Sequence, residues 1–232
     1  KRIDMKKIRR GNIYLYFNDE KSLEFFDIVE NNRYKLLKVL KDDQRSYVAL
    51  IEIQGKKYIY KRPIEKNSRK WQRFLSSFRG SESKREFKNI EKIREVGLNG
   101  AVPYLAVEKK KGLVVYDSYL IYGYIDGRES SFKDIDLIMS ELRKIHSLGY
   151  LHGDSHMNNF LIKGEKVYLI DTKLLWNKYG GFGRAFEFMY LEESCPQEID
   201  YDKESIYYKG AKGLRNYLTF LAKIKSIRRK KK

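Results

Sequence analysis

Two aspartates and an asparagine in the second half of the chain have the side chains that transfer of a phosphoryl group requires. Asp154 and Asn159 lie five residues apart in the polar segment HGDSHMNN, and Asp171 follows at the end of the apolar run KVYLID. The reaction needs one carboxylate that orients the acceptor hydroxyl and takes its proton, and oxygen ligands that hold magnesium against the triphosphate. These three residues supply that set.

The spacing resembles the H-x-D-x-x-x-x-N pattern of kinases, followed by the aspartate of D-F-G. The segments HGDSHMNNFLI and LIDTK resemble the protein-kinase-like small-molecule kinases. Over nearly its full length, the chain resembles the bacterial lipopolysaccharide core heptose(II) kinase family. The resemblance implies that Asp154 is the catalytic base and that Asn159 and Asp171 bind Mg²⁺. It also implies that His152 braces the loop, and His156 fits the H-G-D-x-H variant of aminoglycoside and choline kinases.

Two other interpretations of the HGDSHMNN segment are open at the level of sequence. Aspartate and asparagine often form turns, so the segment could be a polar loop without a catalytic role. Alternatively, His152, His156 and Asp154 could ligate a transition metal. That arrangement would leave Asn159 and Asp171 unused, which disfavours it.

Upstream, Lys61 ends the strand-like run KKYIYKR, at the position where the V-A-I-K segment of kinases places the lysine that holds the phosphates of ATP. Such a lysine needs a carboxylate on a helix. Glu86 has the best register in SKREFKNIEKI, since Glu82 lies nearly one turn away and Glu91 lies on the opposite side. Alternatively, these residues are solvated surface charges, which are common in a chain with 49 lysines and arginines.

The segment YLIYGYIDG resembles a kinase hinge, and we expect backbone groups from Gly123 to Ile125 to bind the adenine edge. The alternative is an ordinary buried strand that ends in an Asp-Gly turn.

The phosphate-covering loop departs from the protein-kinase pattern. The turn DDQRS has no glycine, so backbone amides or the side chains of Arg45 and Ser46 would have to cover the phosphates. Thr172 and Lys173 follow Asp171, so there is no D-F-G triplet, and there is no A-P-E segment either. These departures disfavour a protein substrate.

The elements before residue 126 predict a small, mainly antiparallel lobe. Three strand-like runs lie between Arg33 and Arg62, and two more lie at Ala101 to Val107 and Leu113 to Ile125. Between them, apolar residues at helical spacing predict a helix from Ser81 to Glu95.

The remaining elements predict a mainly helical lobe. We expect a helix from Ile135 to Leu148, then the HGDSHMNN loop, two short strands and a last helix from about Tyr208 to Arg228. The glycines at 180, 181 and 183 indicate a flexible or ligand-facing segment, and the structure of the residues up to about Asp202 stays undetermined. The fold expected is α/β (α+β) and bilobal, protein-kinase-like. A nucleotide-binding lobe would comprise residues 1–125 and a catalytic lobe residues 126–232, with ATP between them.

Composition limits the remaining possibilities. With 42% hydrophobic residues and a single cysteine, Cys195, the chain is expected to fold as a globular cytoplasmic protein without an intrachain disulfide. No apolar run approaches the roughly 18 residues that cross a bilayer, so we expect no integral membrane segment.

The formal net charge of +18, concentrated in Lys6 to Arg10 and Arg228 to Lys232, attracts polyanions. No nucleic-acid-binding motif is present, so nucleic acid is not an expected partner. An anionic inner-membrane surface is the expected one, with the protein peripheral at that membrane. Lysine-rich ends that merely confer solubility are the alternative.

The function expected is ATP- and Mg²⁺-dependent transfer of the γ-phosphate to a heptose hydroxyl of the lipopolysaccharide core. Two alternatives are a small-molecule kinase for aminoglycosides or choline, whose cationic acceptors would suit the carboxylates from Glu187 to Asp202, and a catalytically inactive kinase-like module that binds an anionic surface.

Overall fold

The computed structural model describes residues 5–64 and 80–230. The chain folds as two compact units, Lys1–Gly127 with Tyr168–Ile170, and Arg128–Val167 with Asp171–Lys232. The short segment Tyr168–Ile170 belongs to the first unit because Leu169 donates its amide to the carbonyl oxygen of Asn99 at 2.9 Å and forms a parallel bridge with Gly100.

A seven-stranded sheet with antiparallel neighbours forms the body of the first unit, in the order β1-β2-β6-β7-β5-β4-β3. Its strands are β1 (Lys6–Arg10), β2 (Ile13–Phe17), β3 (Lys35–Asp42), β4 (Ser46–Ile53), β5 (Lys56–Pro63), β6 (Pro103–Lys111) and β7 (Val114–Gly123). The five strands expected from the sequence are confirmed. The hairpin of β1 and β2 is additional.

The two faces of this sheet form separate cores, because successive side chains of a strand point in opposite directions. Leu15 and Phe17 of β2 pack with Phe25 of helix α1 (Glu24–Glu30). Tyr16 points the other way and packs in the same cluster as Phe87 of helix α2 (Glu82–Glu95). Because both faces are covered, β2 reads as the continuous apolar run IYLYF and shows no alternation.

Strand β1 is the basic segment KKIRR, all of whose residues are exposed at one edge of the sheet. Charged side chains on an edge strand oppose pairing with another chain. The cluster from Lys6 to Arg10, expected only as a charged end, is therefore part of the sheet. The last two residues of the C-terminal basic cluster lie outside the described range.

Helix α2 begins where its sequence predicts. Ser81 is the N-cap, and its hydroxyl accepts the amide of Lys84 at 3.1 Å. The helix ends at Glu95, before Gly97, which has a φ of +78°.

The second unit contains the helices α3 (Ile135–Ser147), α4 (Gly181–Glu193) and α5 (Ile206–Lys230). Its short strands are β8 (Arg128–Glu129), β9 (Tyr150–Leu151), β10 (Phe160–Lys163), β11 (Lys166–Leu169) and β12 (Leu175–Trp176). Strand β10 pairs with β8 and β11, and β12 pairs with β9. The HGDSHMNN segment connects β9 to β10. The expected helices and the short hairpin are confirmed, and with them the α+β, protein-kinase-like order of elements.

The segment with three glycines is not flexible in the way expected, because most of it is helix α4. A Cβ on Gly181 would lie 2.5 Å from the ring of Tyr207, so glycine permits the close approach of α5. Farther along α4, Ala185 and Met189 pack against Ala211 of α5. Gly181 thus serves helix packing, whereas a Cβ on Gly183 would lie 2.7 Å from Asn177 Oδ1.

Candidate active site

The loop between β9 and β10 holds Asp154 and Asn159 in a fixed relation. Asn159 Nδ2 donates to the backbone carbonyl oxygen of Asp154 at 2.8 Å, and the amide of Asn159 donates to the carbonyl of His156 at 2.9 Å. The first bond uses the amide nitrogen of the Asn159 side chain. Its Oδ1 is therefore the group available to a metal ion, which prefers oxygen.

Asp171 follows β11 with a left-handed backbone, φ +52°. Aspartate tolerates this region better than most residues because its short polar side chain can bond locally. The next residue, Thr172, is buried, whereas Asp171 is exposed. The turn thus directs the carboxylate outward at the position where the resemblance places a metal ligand.

His152 is fully buried and braces the loop against the segment that follows Asp171. Its Nε2 lies 2.8 Å from Thr172 Oγ1, and its carbonyl oxygen accepts the amide of Lys173 at 3.0 Å. Burial lowers the pKa of His152 to about 4, although the surrounding carboxylates oppose this change. The imidazole is therefore neutral at pH 7, which fits a structural role.

Gly153 allows this arrangement. Its φ is +83°, and a Cβ would lie 3.1 Å from the Cβ of Lys173 and 3.2 Å from Leu175 Cδ1. A larger residue would be strained in both backbone and packing.

Glu187 of α4 holds the loop from the other side, a role that the sequence analysis did not assign. One carboxylate oxygen accepts the amide of His152 at 3.0 Å, and the other accepts the amide of Gly153 at 2.5 Å. His146 Nε2 of α3 lies 3.0 Å from the first oxygen. With only 5% exposure, this carboxylate is a buried acceptor that fixes the residues before Asp154.

Two further hydrogen bonds hold the same loop, one to a residue of α4 and one to Ser194, which follows α4. Ser155 Oγ donates to the carbonyl oxygen of Glu187 at 2.9 Å, and the amide of Met157 donates to Ser194 Oγ at 3.0 Å. A signal for Glu187 exists in the sequence. It is a carboxylate inside the apolar run AFEFMY, and such a residue is rarely buried without several donors.

In the first unit, Lys61 and Glu86 form the ion pair that the sequence predicts. Lys61 Nζ lies 2.8 Å from Glu86 Oε1, and both side chains are mostly buried, with 17% and 16% exposure. Lys61 lies on β5 and Glu86 on α2. An ion pair of this kind holds the lysine where it can meet a phosphate.

Glu108 of β6 fixes the start of α2 and therefore the position of Glu86. Its carboxylate accepts the amide of Ser81 at 2.7 Å and the hydroxyl of Tyr16 at 2.9 Å, and it pairs with Lys110 at 3.2 Å. Burial raises the pKa of Glu108, but the hydrogen bonds from Ser81 and Tyr16 and the Lys110 charge outweigh it, so the pKa is lowered. The carboxylate stays ionised.

The expected hinge segment ends β7. The amide of Gly123 donates to the carbonyl oxygen of Val102 at 2.8 Å, and the carbonyl oxygen of Ile125 accepts the amide of Gly127 at 2.9 Å. A carbonyl oxygen has two lone pairs, so Ile125 can accept a second bond. The Gly123 amide already has a partner, and an adenine edge would have to be bound by other backbone groups of this segment.

The turn between β3 and β4 is closed by its own carboxylate. Asp43 Oδ1 accepts the amides of Arg45 and Ser46, both at 2.8 Å. The bond from the Ser46 amide, with those from Arg45 and the charge of Lys41, lowers the pKa of Asp43 against an opposing effect of desolvation. The two amides are thus engaged within the turn, unlike the open amides of a glycine-rich phosphate loop.

The structure argues against two of the alternative interpretations. In the described part of the chain, no three histidine, cysteine or acidic side chains are grouped so that they could hold a metal ion. Four of the carboxylates expected to favour a cationic acceptor have partners. Glu187 holds the loop, Glu192 and Glu198 pair with Lys203 at 2.8 and 2.9 Å, and Glu193 pairs with Arg215.

Comparisons with known proteins identify related sequences. A family model described as "Lipopolysaccharide core biosynthesis protein (WaaY)" matches residues 2–178. The lipopolysaccharide core heptose(II) kinase WaaY of Escherichia coli strain K12 is 30% identical over 176 residues, which cover 73% of this chain and 76% of that protein. A second Escherichia coli WaaY is 28% identical and covers 71% of this chain and 75% of its own length.

Among solved structures, that of WaaP in complex with acyl carrier protein is similar to this chain with a TM-score of 0.54. The sequences are 13% identical, and the alignment covers 91% of this chain and 96% of that one. At this identity the likeness concerns the fold alone, which it confirms over both units.

Proposed function

The chain belongs to the WaaY family of lipopolysaccharide core biosynthesis proteins, and from this membership we propose that it is an ATP-dependent heptose kinase of the lipopolysaccharide inner core. The reaction transfers the γ-phosphoryl group of ATP to a heptose hydroxyl. The observation that carries the proposal is the loop from His152 to Asn159. It is held at its backbone by the carboxylate of Glu187 and the amide of Lys173, so that Asp154 is presented on a rigid support.

Asp154 acts as the base that takes the proton of the acceptor hydroxyl. In phosphoryl transfer the protein contributes mainly positioning and charge stabilisation, and the bonds around Asp154 provide the positioning. Lys61, held by Glu86, contacts the phosphates of ATP, and backbone groups from Gly123 to Ile125 contact its adenine.

Asn159 and Asp171 are the residues that would hold Mg²⁺. Their side-chain oxygens suit this hard cation. The amide nitrogen of Asn159 already donates to the carbonyl oxygen of Asp154, which leaves its Oδ1 for the ion, and Asp171 is exposed after its turn. A bound Mg²⁺ would neutralise part of the negative charge of the phosphates. A division near Ile125 into a nucleotide-binding lobe and a catalytic lobe is part of the same proposal.

Two observations favour an active enzyme over an inactive module. Lys61, Asp154, Asn159 and Asp171 are all retained, and the Lys61–Glu86 ion pair is formed. A cationic acceptor is disfavoured, because Glu187 accepts backbone amides of the loop and three further carboxylates of this region pair with lysine or arginine.

We further propose that the protein works at the cytoplasmic surface of the inner membrane, bound peripherally. Helix α5 exposes Leu214, Tyr217 and Leu218, which are 40%, 57% and 43% exposed. Their spacing places them on one side of the helix, among lysines and arginines, a pattern typical of helices that lie on anionic membranes. No helix in the described residues is long and apolar enough to cross a membrane.

The test of the proposed function is transfer of labelled phosphate from ATP to lipopolysaccharide core that lacks heptose phosphates. Wild type should label the core, and Asp154→Ala should reduce the rate by at least about 100-fold, the effect typical of losing a general base. ATP binding should be kept, because Asp154 is not assigned to the nucleotide.

Asn158→Ala is a matched control, since Asn158 is an exposed neighbour in the same loop. It should retain most of the activity. Aminoglycosides and choline are assayed in parallel. Labelling of these acceptors but not of the core would favour the small-molecule kinase, and full activity of Asp154→Ala would refute the assigned base.

A further inference from the structure

The first unit contains a cavity that shares no lining residue with the proposed ATP site. Its volume is about 370 Å³, within the range of roughly 300–1,000 Å³ that is usual for small-molecule sites. The segment between β2 and α1, the start of α1, the turn between β4 and β5, the second half of α2 and the start of β6 line it. The residues assigned to ATP, which are Lys61 and the segment from Gly123 to Ile125, are not among them.

Two polar side chains that line the cavity lack hydrogen-bond donors. Glu91 is only 7% exposed, and its Oε1 has no hydrogen-bond partner within residues 5–64 and 80–230. The same holds for Oδ1 of Asn18, which is also buried. Buried acceptors of this kind are rare in folded proteins, because each one lowers stability. A ligand that brings hydrogen-bond donors into the cavity would satisfy both oxygens.

The state of the Glu91 carboxyl group supports a functional role. Burial raises its pKa to about 7. A perturbed acid in a cavity is more typical of a binding site than of a protein core.

Aromatic rings supply an apolar part of the lining. The ring centres of Phe25, Tyr58 and Tyr104 lie 4.9, 5.3 and 5.2 Å apart, and Tyr58 meets the other two rings edge to face at 73° and 86°. Val102 and Pro103 precede Tyr104 and line the same cavity. Because Val102 is 40% exposed, part of this apolar surface is open to a ligand. It suits the carbon–hydrogen face of a ring.

Exposed charged groups of both signs complete the lining. Lys21, Lys56 and Arg94 supply hydrogen-bond donors, and Asp19 and Glu24 supply acceptors. A ligand with a single strong charge would be repelled by part of this set. A neutral ligand with many hydroxyls can use all of it, because each hydroxyl donates one hydrogen bond and accepts others.

We propose that this cavity binds a neutral saccharide unit. Its hydroxyls donate to Glu91 and Asn18 and bond the charged groups, while one face of its ring packs against Tyr104 and Val102. The proposal goes beyond the proposed function, because no lining residue is assigned to phosphoryl transfer. Both a sugar of the lipopolysaccharide core and a free monosaccharide have this chemistry, and the experiment separates them.

The test is NMR of protein labelled with ¹³C at the valine methyl groups. Core oligosaccharide freed of its lipid by mild acid, and the methyl glycosides of glucose and heptose, are added separately. The Val102 resonances should move, and those of Val39 on β3, which is 43% exposed, should not. Movement with the oligosaccharide alone supports a core sugar as the ligand, and movement with a methyl glycoside as well supports a single sugar.

Three outcomes of this titration overturn the proposal. They are no movement of Val102 with any saccharide, equal movement of Val102 and Val39, and equal movement of Val102 with inorganic phosphate, which would indicate an anion site.

Glu91→Leu tests the buried contact without weakening the fold. It should be at least as stable as the wild type in urea unfolding, because an apolar side chain replaces a buried acid that lacks a donor. Its affinity for the saccharide, from the Val102 titration, should fall at least about tenfold, the effect of losing a hydrogen bond to a charged group. Glu165→Leu, at an exposed acid between β10 and β11, is the control and should bind as the wild type. Wild-type affinity in Glu91→Leu overturns the proposal.

Arg94→Ala is a second variant, at an exposed residue whose loss leaves the fold intact. It should weaken saccharide binding about threefold or more, in line with one hydrogen bond from a charged donor. Arg85→Ala is its matched control, because Arg85 is exposed on the same helix and does not line the cavity. An equal loss of affinity in both variants contradicts a contact specific to the cavity.

Discussion

At the scale of single residues, the site depends on one buried carboxylate more than on any residue that touches the reacting groups. Glu187 accepts two successive backbone amides and faces His146, so its charge is compensated by three nitrogen groups. Replacing a buried acceptor with this many partners lowers stability, because the backbone amides that lose their acceptor are themselves buried polar groups. The position of Asp154 therefore depends on a residue that is remote in sequence.

We predict that Glu187→Gln lowers both activity and stability. Glutamine has a similar shape but only one acceptor oxygen, so one loop amide would face an NH₂ group. The free energy of unfolding should fall by about 1–3 kcal/mol, and kcat by about tenfold or more. Urea unfolding and the transfer assay measure the two effects. Glu198→Gln, at an exposed carboxylate in the same unit, should change neither. Wild-type activity in Glu187→Gln would show that the loop is held without this carboxylate.

At the scale of elements, helix α2 combines two carboxylates with different roles. Glu86 pairs with Lys61, whereas Glu91 is buried and its Oε1 has no hydrogen-bond partner among the described residues. Burial raises the pKa of Glu91 to about 7, although the neighbouring Asn18 side chain opposes the rise. Helix α2 thus carries, within two turns, an ion pair and a buried carboxyl group whose desolvation is not offset by its neighbours.

This acid predicts a pH dependence of stability. The pKa of Glu91 is about 7 in the folded protein against an ordinary 4.5, so the native state binds more protons between these values. Stability therefore falls as pH rises through this window. Glu91→Gln has no proton to lose, and at about pH 8 it should be more stable than the wild type by about 2–3 kcal/mol, an upper estimate from the pKa difference.

The measurement is urea unfolding near pH 4.5 and near pH 8. The extra stability of Glu91→Gln over the wild type should be present near pH 8 and small near pH 4.5. Glu165→Gln, at an exposed acid between β10 and β11, should show no such difference. An equal effect of Glu91→Gln at both pH values would contradict a buried, protonated acid.

At the scale of the whole molecule, the net charge of +18 and the apolar residues of α5 act together. The apolar side of α5 that the sequence predicts is exposed at Leu214, Tyr217 and Leu218, while Ala211 is the residue that packs against α4. The helix therefore uses one side for the fold and leaves another uncovered by the described part of the chain. Positive charge brings such a helix to an anionic surface, and apolar burial then holds it there.

We predict that the protein sediments with vesicles containing anionic phospholipid and little with neutral vesicles. Removal of residues 228–232 should weaken binding most at low salt, because salt screens charge attraction. Leu218→Ser should weaken it at all salt concentrations, because salt does not screen apolar burial. Leu36→Ser, at a leucine of β3 that is 50% exposed, is the control and should bind as the wild type. Equal binding to neutral vesicles would contradict the charge argument.

The sequence by itself determined the parts of this protein that depend on local order. Hydrophobic periodicity predicted α2, α3 and α5 to within two or three residues. The spacing of Asp154, Asn159 and Asp171 predicted the residues of one loop and one turn, because the chain itself keeps such residues close. The pair Lys61–Glu86 followed from helix register and the expected order of elements.

Only the tertiary structure decided the contacts that join distant segments. Glu187 meets the catalytic loop across more than thirty positions of sequence, and helix α4, which carries it, was obscured by glycines at its start, of which Gly181 permits the close approach of α5. Strand β2 was missed because burial on both faces removes the alternation that reveals a strand. The exposure of Leu214 and Leu218 was likewise decided by packing, since periodicity shows that a helix has an apolar side but not whether the fold covers it.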